Sequence, residues 1–433
     1  MFKKKRFAMI ATLVSLSLGL TLMSGCGTGT NTASNGKVTI TFSHWGGDDT
    51  YTNVYKERIA AFQKKNPNIS VKVITVADNY ETKLQTMMAG GKAPDVMEVA
   101  ENGMQFASKN RFMDLTDKIK KANIDTEKTW GKESISQYTY KDKIFGLPDR
   151  SGPIIMYYNK DLFDKAGVKY PTSDWTIDDY ENALQKLTVK KDGKTVQWGG
   201  ASLDWMPCWG VFIKANGGDI IKDGKVAINS SENLETLKKY NDDYKKGDIL
   251  DYKTLETVKN SNGDSYFSQG KVAMLETGFW DVDSFSKVSG LNWDIAPVQT
   301  GTEKASWPFG SALTISKDSK NQDAAWKFVQ YMTGTDAQQI LAKSLGDCPA
   351  NLDVINSQDF INEKVNGKKY NLAAIGTSIE RVKVDGAFKG PYYSEIATEG
   401  GNQIKEMLLG RLTPQDALKK METNMNKILD NYK

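Results

Sequence analysis

The chain has one histidine in 433 residues, His44. That excludes histidine-rich metal centres and most histidine-based catalytic triads. It also lacks a GxSxG nucleophile elbow, a GxxxxGK[ST] phosphate loop and a CxxC pair. An excess of charge is missing too. The formal +4 misleads, because Lys3, Lys4, Lys5 and Arg6 crowd the N-terminus, and without them 53 basic residues face 53 acidic ones. So balanced a chain gives no reason to expect nucleic acid or an anionic membrane surface as a partner. Only 3 cysteines are present, and past the N-terminal segment no apolar run is long enough to span a bilayer. With 25% charged and 39% hydrophobic residues, the remainder has an ordinary globular composition.

The first cysteine has an informative neighbourhood. After the basic patch, Phe7 to Met23 is almost wholly apolar or small, and MSGCGTGTNTASNG follows. A basic start, an apolar core and small residues at a cut site form an export signal. Ser24-Gly25-Cys26 resembles the lipobox of bacterial lipoproteins, although Met23 stands where leucine is usual. The resemblance implies a signal peptide over 1–25, lipid on Cys26 and a flexible tether over 26–36. The alternative is an uncleaved anchor, since the apolar run approaches the roughly 18 residues that cross a bilayer. Either reading holds the chain at the extracytoplasmic face of the cell membrane. Cys208 and Cys348 carry no spacing signature and form either a disulfide or two quiet thiols.

About 400 residues remain, more than the ~250–300 that one core supports, so two domains are expected. Val38, Ile40 and Phe42 alternate with threonines as a period-2 strand. Tyr55, Ile59 and Phe62 then mark one face of a helix that Asn66-Pro67 stops, and Ile69, Val71 and Val73 begin a second strand. Strand, helix, strand at this spacing is a βαβ unit and implies a parallel sheet. The pattern recurs through YETKLQTMMAGG, PDVMEVA, YENALQKLT and KVAML, and amphipathic helices close the chain. The class is α/β.

The order of phrases resembles the extracellular solute-binding proteins of ABC sugar importers, the family that includes the maltose-binding protein. The matching stretches include FSHW, NPNISVKV, YETKLQTMMAGGKAPDVMEV, IFGLPDRSGPIIMYYNKDLFDKAGV, FSQGKVAMLETGFWD and DAAWKFVQYMTG, from about Val38 to the C-terminus. The resemblance implies a two-lobed periplasmic-binding-protein-like fold, each lobe a mostly parallel sheet flanked by helices, with a ligand cleft between. It assigns 37–150 and 296–348 to lobe 1, and 151–295 and 349–433 to lobe 2. The chain is then expected to cross near Pro148–Pro153, Trp293–Pro297 and Cys348–Asn351. The implied partners are a sugar or oligosaccharide and the transmembrane permease subunits of an importer. The membrane is met through the lipid anchor only; no nucleic acid, metal or cofactor is expected, and the chain is a monomer and not an enzyme.

Open α/β sheets bind ligands beyond the carboxyl ends of their strands. Trp45 lies at that end of the first strand, followed by Gly46-Gly47 and then Asp48 and Asp49. An indole suits the C–H face of a sugar ring, and carboxylates accept from its hydroxyls. Otherwise Trp45 is core and one aspartate caps the helix. Glu98, Glu101 and Asn102 end the PDVMEVA strand and line either a cleft or a solvated loop. Asp149 and Arg150, in the first crossing segment, reach ligand or pair with each other. Asp204 and Trp205 fall in LDWMPCW, where one of Trp205 and Trp209 is expected to pack. Trp280 in GFW is the strongest stacking candidate, ahead of Trp307 in SWPFG and Tyr392 in GPYYSEI. Trp326, Trp175 and His44 are read as structural. Two rivals stand beside sugar binding. One is a surface glycoside hydrolase using acids such as Asp204 and Glu276; the other is a binder of a cation such as a polyamine.

Overall fold

The period-2 stretch Val38–Trp45 forms strand β1, and the helix after it is α1, Asp49–Lys65. In the computed structural model the described residues are 36–46, 49–201, 205–256, 263–345 and 347–433. The signal peptide, Cys26, all of the tether but Gly36, and candidates Asp48 and Asp204 lie outside them.

The strands that follow are β2 (Ile69–Val76), β3 (Val96–Val99), β4 (Gly146–Ser151), β5 (Ile155–Asn159) and β6 (Val189–Lys191). Then come β7 (Lys194–Ala201), β8 (Ile249–Leu250), β9 (Val272–Thr277), β10 (Trp293–Pro297) and β11 (Gly310–Ile315). They form two sheets. The first has the order β2–β1–β3–β11–β4; the second has β8–β7–β9–β5–β10, with β6 paired to β7. In each five-strand path four strands run one way and the fourth in order runs against them, β11 in the first and β5 in the second. The expected mostly parallel architecture is what forms.

Helices cover both faces of the first sheet, which is why its inner strands read as near-continuous apolar runs. Ile40, Phe42, Val96 and Leu313 pack with Phe62 of α1 and with Phe328. The alternate residues Met97, Val99 and Ala312 pack with Leu84, Met104 and Phe112. In the second sheet Tyr157, Leu275 and Ile295 face one cluster, while Met156, Met274 and Ala296 face another with Tyr180 and Leu184. The helix Ile177–Leu187 of that second cluster starts on a capping box between Thr176 and Asp179.

Three segments join the sheets. The chain leaves β4 and enters β5 through 152–154, and it returns through 307–309 into β11. These two runs are tied by Gly152 N–H to Phe309 O at 2.6 Å and Ile154 N–H to Trp307 O at 3.1 Å. The third joins them where Ser151 N–H donates to Cys348 O at 3.1 Å. The return crossing expected at Trp293–Pro297 is corrected: those residues are β10, an edge strand of the second sheet. The chain stays with that half for another ten residues or so, where Thr300 exchanges backbone bonds with Trp175 and Ile177. Cys208 and Cys348 are both buried and neither forms a disulfide.

Candidate functional site

Where the strand ends of the two sheets face each other lies a cavity of about 650 Å³. Its first wall comes from the first sheet. Trp45 ends β1, Glu81 stands in the first turn of the helix Tyr80–Ala89, Glu101 follows β3, and Tyr51 reaches over from α1. Its second wall comes from the other sheet: Thr277 at the end of β9, Trp280, Trp205 before the helix Met206–Ala215, and Asp264. Between them the crossing segments supply Arg150, Gly152, Phe309, Ser311 and Asp347.

The second wall is aromatic. The Trp205 ring meets Trp280 and Phe309 edge to face, with centroids 5.9 and 5.3 Å apart, and Trp280 and Phe309 lie tilted at 4.8 Å. The Trp280 ring lies over Gly278, where a Cβ would come within 1.9 Å of it, so only glycine permits this approach. The adjacent Asp281 carboxylate accepts from Thr277 Oγ1 at 2.8 Å. Burial, and then the charge of Asp264, push Asp281 up to about 7.

The first wall is charged and largely self-satisfied. Arg150 donates to Glu98 Oε1 at 2.8 Å and Ser311 Oγ at 3.0 Å, pairs with Asp347, and lies over the Tyr51 ring at 4.6 Å. Glu98 is fully buried and also accepts from Tyr51 at 2.9 Å and Ser311 at 2.6 Å. Burial pushes its carboxyl up, but Arg150 and these donors outweigh that and hold it below the usual range. Glu101 has no such partner. Burial and the neighbouring Glu81 push it up to about 7, and its Oε2 has no hydrogen-bond partner among the described residues.

The cavity thus brings together Trp45, Glu101, Arg150, Trp205 and Trp280 from the residues singled out in the sequence. Five others lie elsewhere. Trp307 is fully buried, wedged against Gly210 in a core shared with Phe388, and is packing rather than a stacking surface. Asp149 is fully buried and ion-paired with Arg58, whose Nη1 is 3.2 Å from Oδ2, so it pairs with an arginine other than its neighbour. Glu98 holds Arg150 from beneath. Asn102 is 5% exposed and lies beside Glu81, a lining residue, without lining the cavity itself. Tyr392 packs beside Tyr432, away from the cavity. Trp209, considered with Trp205, is buried. The sequence reading missed Tyr51, Glu81, Asp264, Phe309, Ser311 and Asp347. Only Phe309 had a local signal, between Pro308 and Gly310 at the crossing.

His44 is buried with Nε2 3.2 Å from Thr75 Oγ1, and burial lowers its pKa, so it is a neutral strand residue. Glu276, the acid of the hydrolase reading, is 3% exposed, does not line the cavity and accepts from Tyr180. Among the described residues no cluster of three or more potential ligands could hold a metal, and no helix is long and apolar enough to cross a membrane.

Similarity to known proteins agrees with this geometry. The arabinooligosaccharide-binding protein of Bacillus subtilis is 26% identical over 395 residues, 87% of each chain. The maltodextrin-binding protein of the same organism is 24% identical over 429 residues, 93% of this chain and 97% of that one. An ABC substrate-binding protein from Listeria monocytogenes, solved in complex with cycloalternan, superposes with a TM-score of 0.80 at 31% identity, covering 91% of this chain and 99% of that one. The family model for bacterial extracellular solute-binding proteins matches residues 48–339. A two-lobed α/β chain with its cavity between the sheet ends, matched over most of its length, belongs to the bacterial extracellular solute-binding protein family.

Proposed function

We propose that this chain is the lipid-anchored binding subunit of an ABC importer, and that it captures a neutral sugar or oligosaccharide between its lobes for delivery to a membrane permease. The observation that carries this reading is the aromatic wall of Trp205, Trp280 and Phe309 opposite a hydrogen-bonding wall of Arg150, Glu81 and Glu101. Sugar rings offer C–H faces to aromatics and hydroxyls to charged groups, and this cavity presents both. Trp205 and Trp280 hang on the second sheet and Glu81 and Glu101 on the first, so contacts to both exist only when the lobes approach; ligand then shifts the population towards closure. The relatives named above for arabinooligosaccharides and maltodextrin support an oligosaccharide over a monosaccharide. Lipid on Cys26 would keep the monomeric catcher beside its permease.

A thermal-shift screen of mono- and oligosaccharides tests the assignment, because a ligand at ~100 times its Kd adds ~2.7 kcal/mol of stability. The expected hit is a neutral oligosaccharide whose shift persists in high salt. Failure of every neutral sugar, with stabilisation by a polyamine that fades as salt rises, would overturn it in favour of a cation binder.

A further inference from the structure

Five charged side chains line the cleft, and four of them are acids: Glu81 and Glu101 on the first wall, Asp264 on the second, and Asp347 beside Arg150 at the crossing. The one cation is already committed. Arg150 is ion-paired with both Glu98 and Asp347, so its single positive charge faces two carboxyls and none is left over for an anion. Glu81 is exposed, and Glu101 and Asp264 are half-buried, so none of these three is sealed off from the cavity it lines.

These acids come in pairs. The charge of Glu81 bears on Glu101, and that of Asp264 on Asp281, the residue after Trp280. No lysine or arginine acts on any of the four, and none has an ion pair among the described residues. Burial raises all four carboxyls, and the neighbouring acid adds to the rise in Glu101 and Asp281. Each wall of the cleft therefore carries an acid pair without a counter-ion.

Such a lining sorts ligands by charge. A sugar hydroxyl donates to a carboxylate and is accepted at either pair. A carboxylate on the ligand would lose its water against unpaired acids, with no free cation to meet it. Like charges brought together in an interface are costly enough to reject a partner. A cavity of about 650 Å³ is ~9 Å on a side, about one Debye length, so a charge anywhere in it feels both walls. Resting on the sugar reading above, we infer that the cleft excludes acidic sugars: Glu81, Glu101 and Asp264 reject an oligosaccharide whose ring carries a carboxylate, and admit the same oligosaccharide when that position is a neutral hydroxymethyl group.

The test is calorimetric titration of the full chain at pH 8, where Glu101 is ionised. Maltotriose and arabinotriose are each used in three forms: unmodified, with the non-reducing-end hydroxymethyl oxidised to a carboxylate, and with that carboxylate converted to its amide. For a trisaccharide that binds, the carboxylate form should bind at least about tenfold more weakly, and the amide should recover most of the loss. Glu101→Gln and Asp264→Asn keep the size and remove the charge. In each, the ratio of the carboxylate and unmodified Kd values should fall about threefold or more, whatever happens to the neutral sugar's own affinity. A carboxylate form that binds as tightly as the unmodified sugar, or more tightly, overturns the inference. So does an amide as weak as the carboxylate, since shape would then be the cause, and so does a ratio unchanged in both variants. Silence from all three forms of both sugars would instead defeat the sugar reading, and the inference with it.

Discussion

In the half built on the first sheet, most buried charge is met by opposite charge, Arg58 with Asp149 and Arg150 with Glu98 and Asp347, and Glu101 is the exception. In the half built on the second, Glu276 and Asp281 are buried with no ion pair among the described residues, and burial pushes both up to about 7. The difference divides labour in the cleft. Ionised groups that satisfy one another make a rigid wall whose donors and acceptors are already aimed. On the opposite wall the rings of Trp205, Trp280 and Phe309 line the cavity instead. Glu98 and Glu276 should answer pH in opposite senses. Glu98, held low, contributes stability that is present above the unfolded carboxylate pKa and lost as pH falls through its folded value. Glu276, held high, favours the fold below the unfolded pKa, and that contribution is lost as pH rises through about 7.

Breaking the paired half should have the largest effect. Asp149→Ala leaves the Arg58 guanidinium buried and unpaired, which typically costs ~3–5 kcal/mol of folding stability. Denaturant titration should show that loss, while the folded fraction binds ligand normally. A change in affinity without a change in stability would return Asp149 to the cleft.

The unpaired half should respond to a change of charge state rather than of shape. Between an unfolded value near 4.5 and a folded value of about 7, Glu276 gives up roughly 3 kcal/mol as pH rises. Glu276→Gln keeps the acceptor for Tyr180 and removes the ionisation. The variant's melting temperature should therefore fall less between pH 5 and 8 than the parent's. Equal slopes would mean that Glu276 stays ionised and finds a cation.

Trp280 and Trp307 sharpen the contrast between ring surface and core. Trp280→Ala should cost at least ~2 kcal/mol of binding, about 30-fold in Kd, and move the ligand-free melting temperature only slightly. Trp307→Ala should do the reverse, costing ~3–5 kcal/mol of folding as buried tryptophans do. A Trp280 variant that melts early and binds normally would show that its ring belongs to the core.

Those two tryptophans also mark how far the sequence could be read. Alternation and helical spacing determined the α/β class, the repeated βαβ units and the strand ends where Trp45 and Glu101 sit. GFW was legible because a strand, a glycine and an indole occur in order within one local unit. Trp307 was not. Its direction depends on where the returning chain crosses, and that point moved from β10 to 307–309 because residues 298–306 pack on the second half rather than the first. Asp149 and Arg150 read as a pair because they are adjacent, yet neighbours in a strand point to opposite faces and each found its own partner. Asp264 and Asp347 enter the cleft from segments with no periodic signal, so only the assembled fold reveals them.

The smallest effect concerns a residue one step behind the ligand. Asn102 does not line the cavity, but its amide lies beside Glu81, which does. Desolvation raises the Glu81 carboxyl, and the amide opposes that shift, favouring its charged form. If Glu81 accepts from a sugar hydroxyl, Asn102→Ala removes the orientation and about 1 kcal/mol of binding, near fivefold in Kd. A purely structural role for Asn102 would lower stability and leave affinity alone. The double-mutant cycle separates these: in a Glu81→Gln background the same alanine change should cost almost nothing more, because the group it positions has already lost its charge. Additive losses in binding would instead mean that Asn102 reaches ligand itself, and the first wall would have to be redrawn one residue deeper.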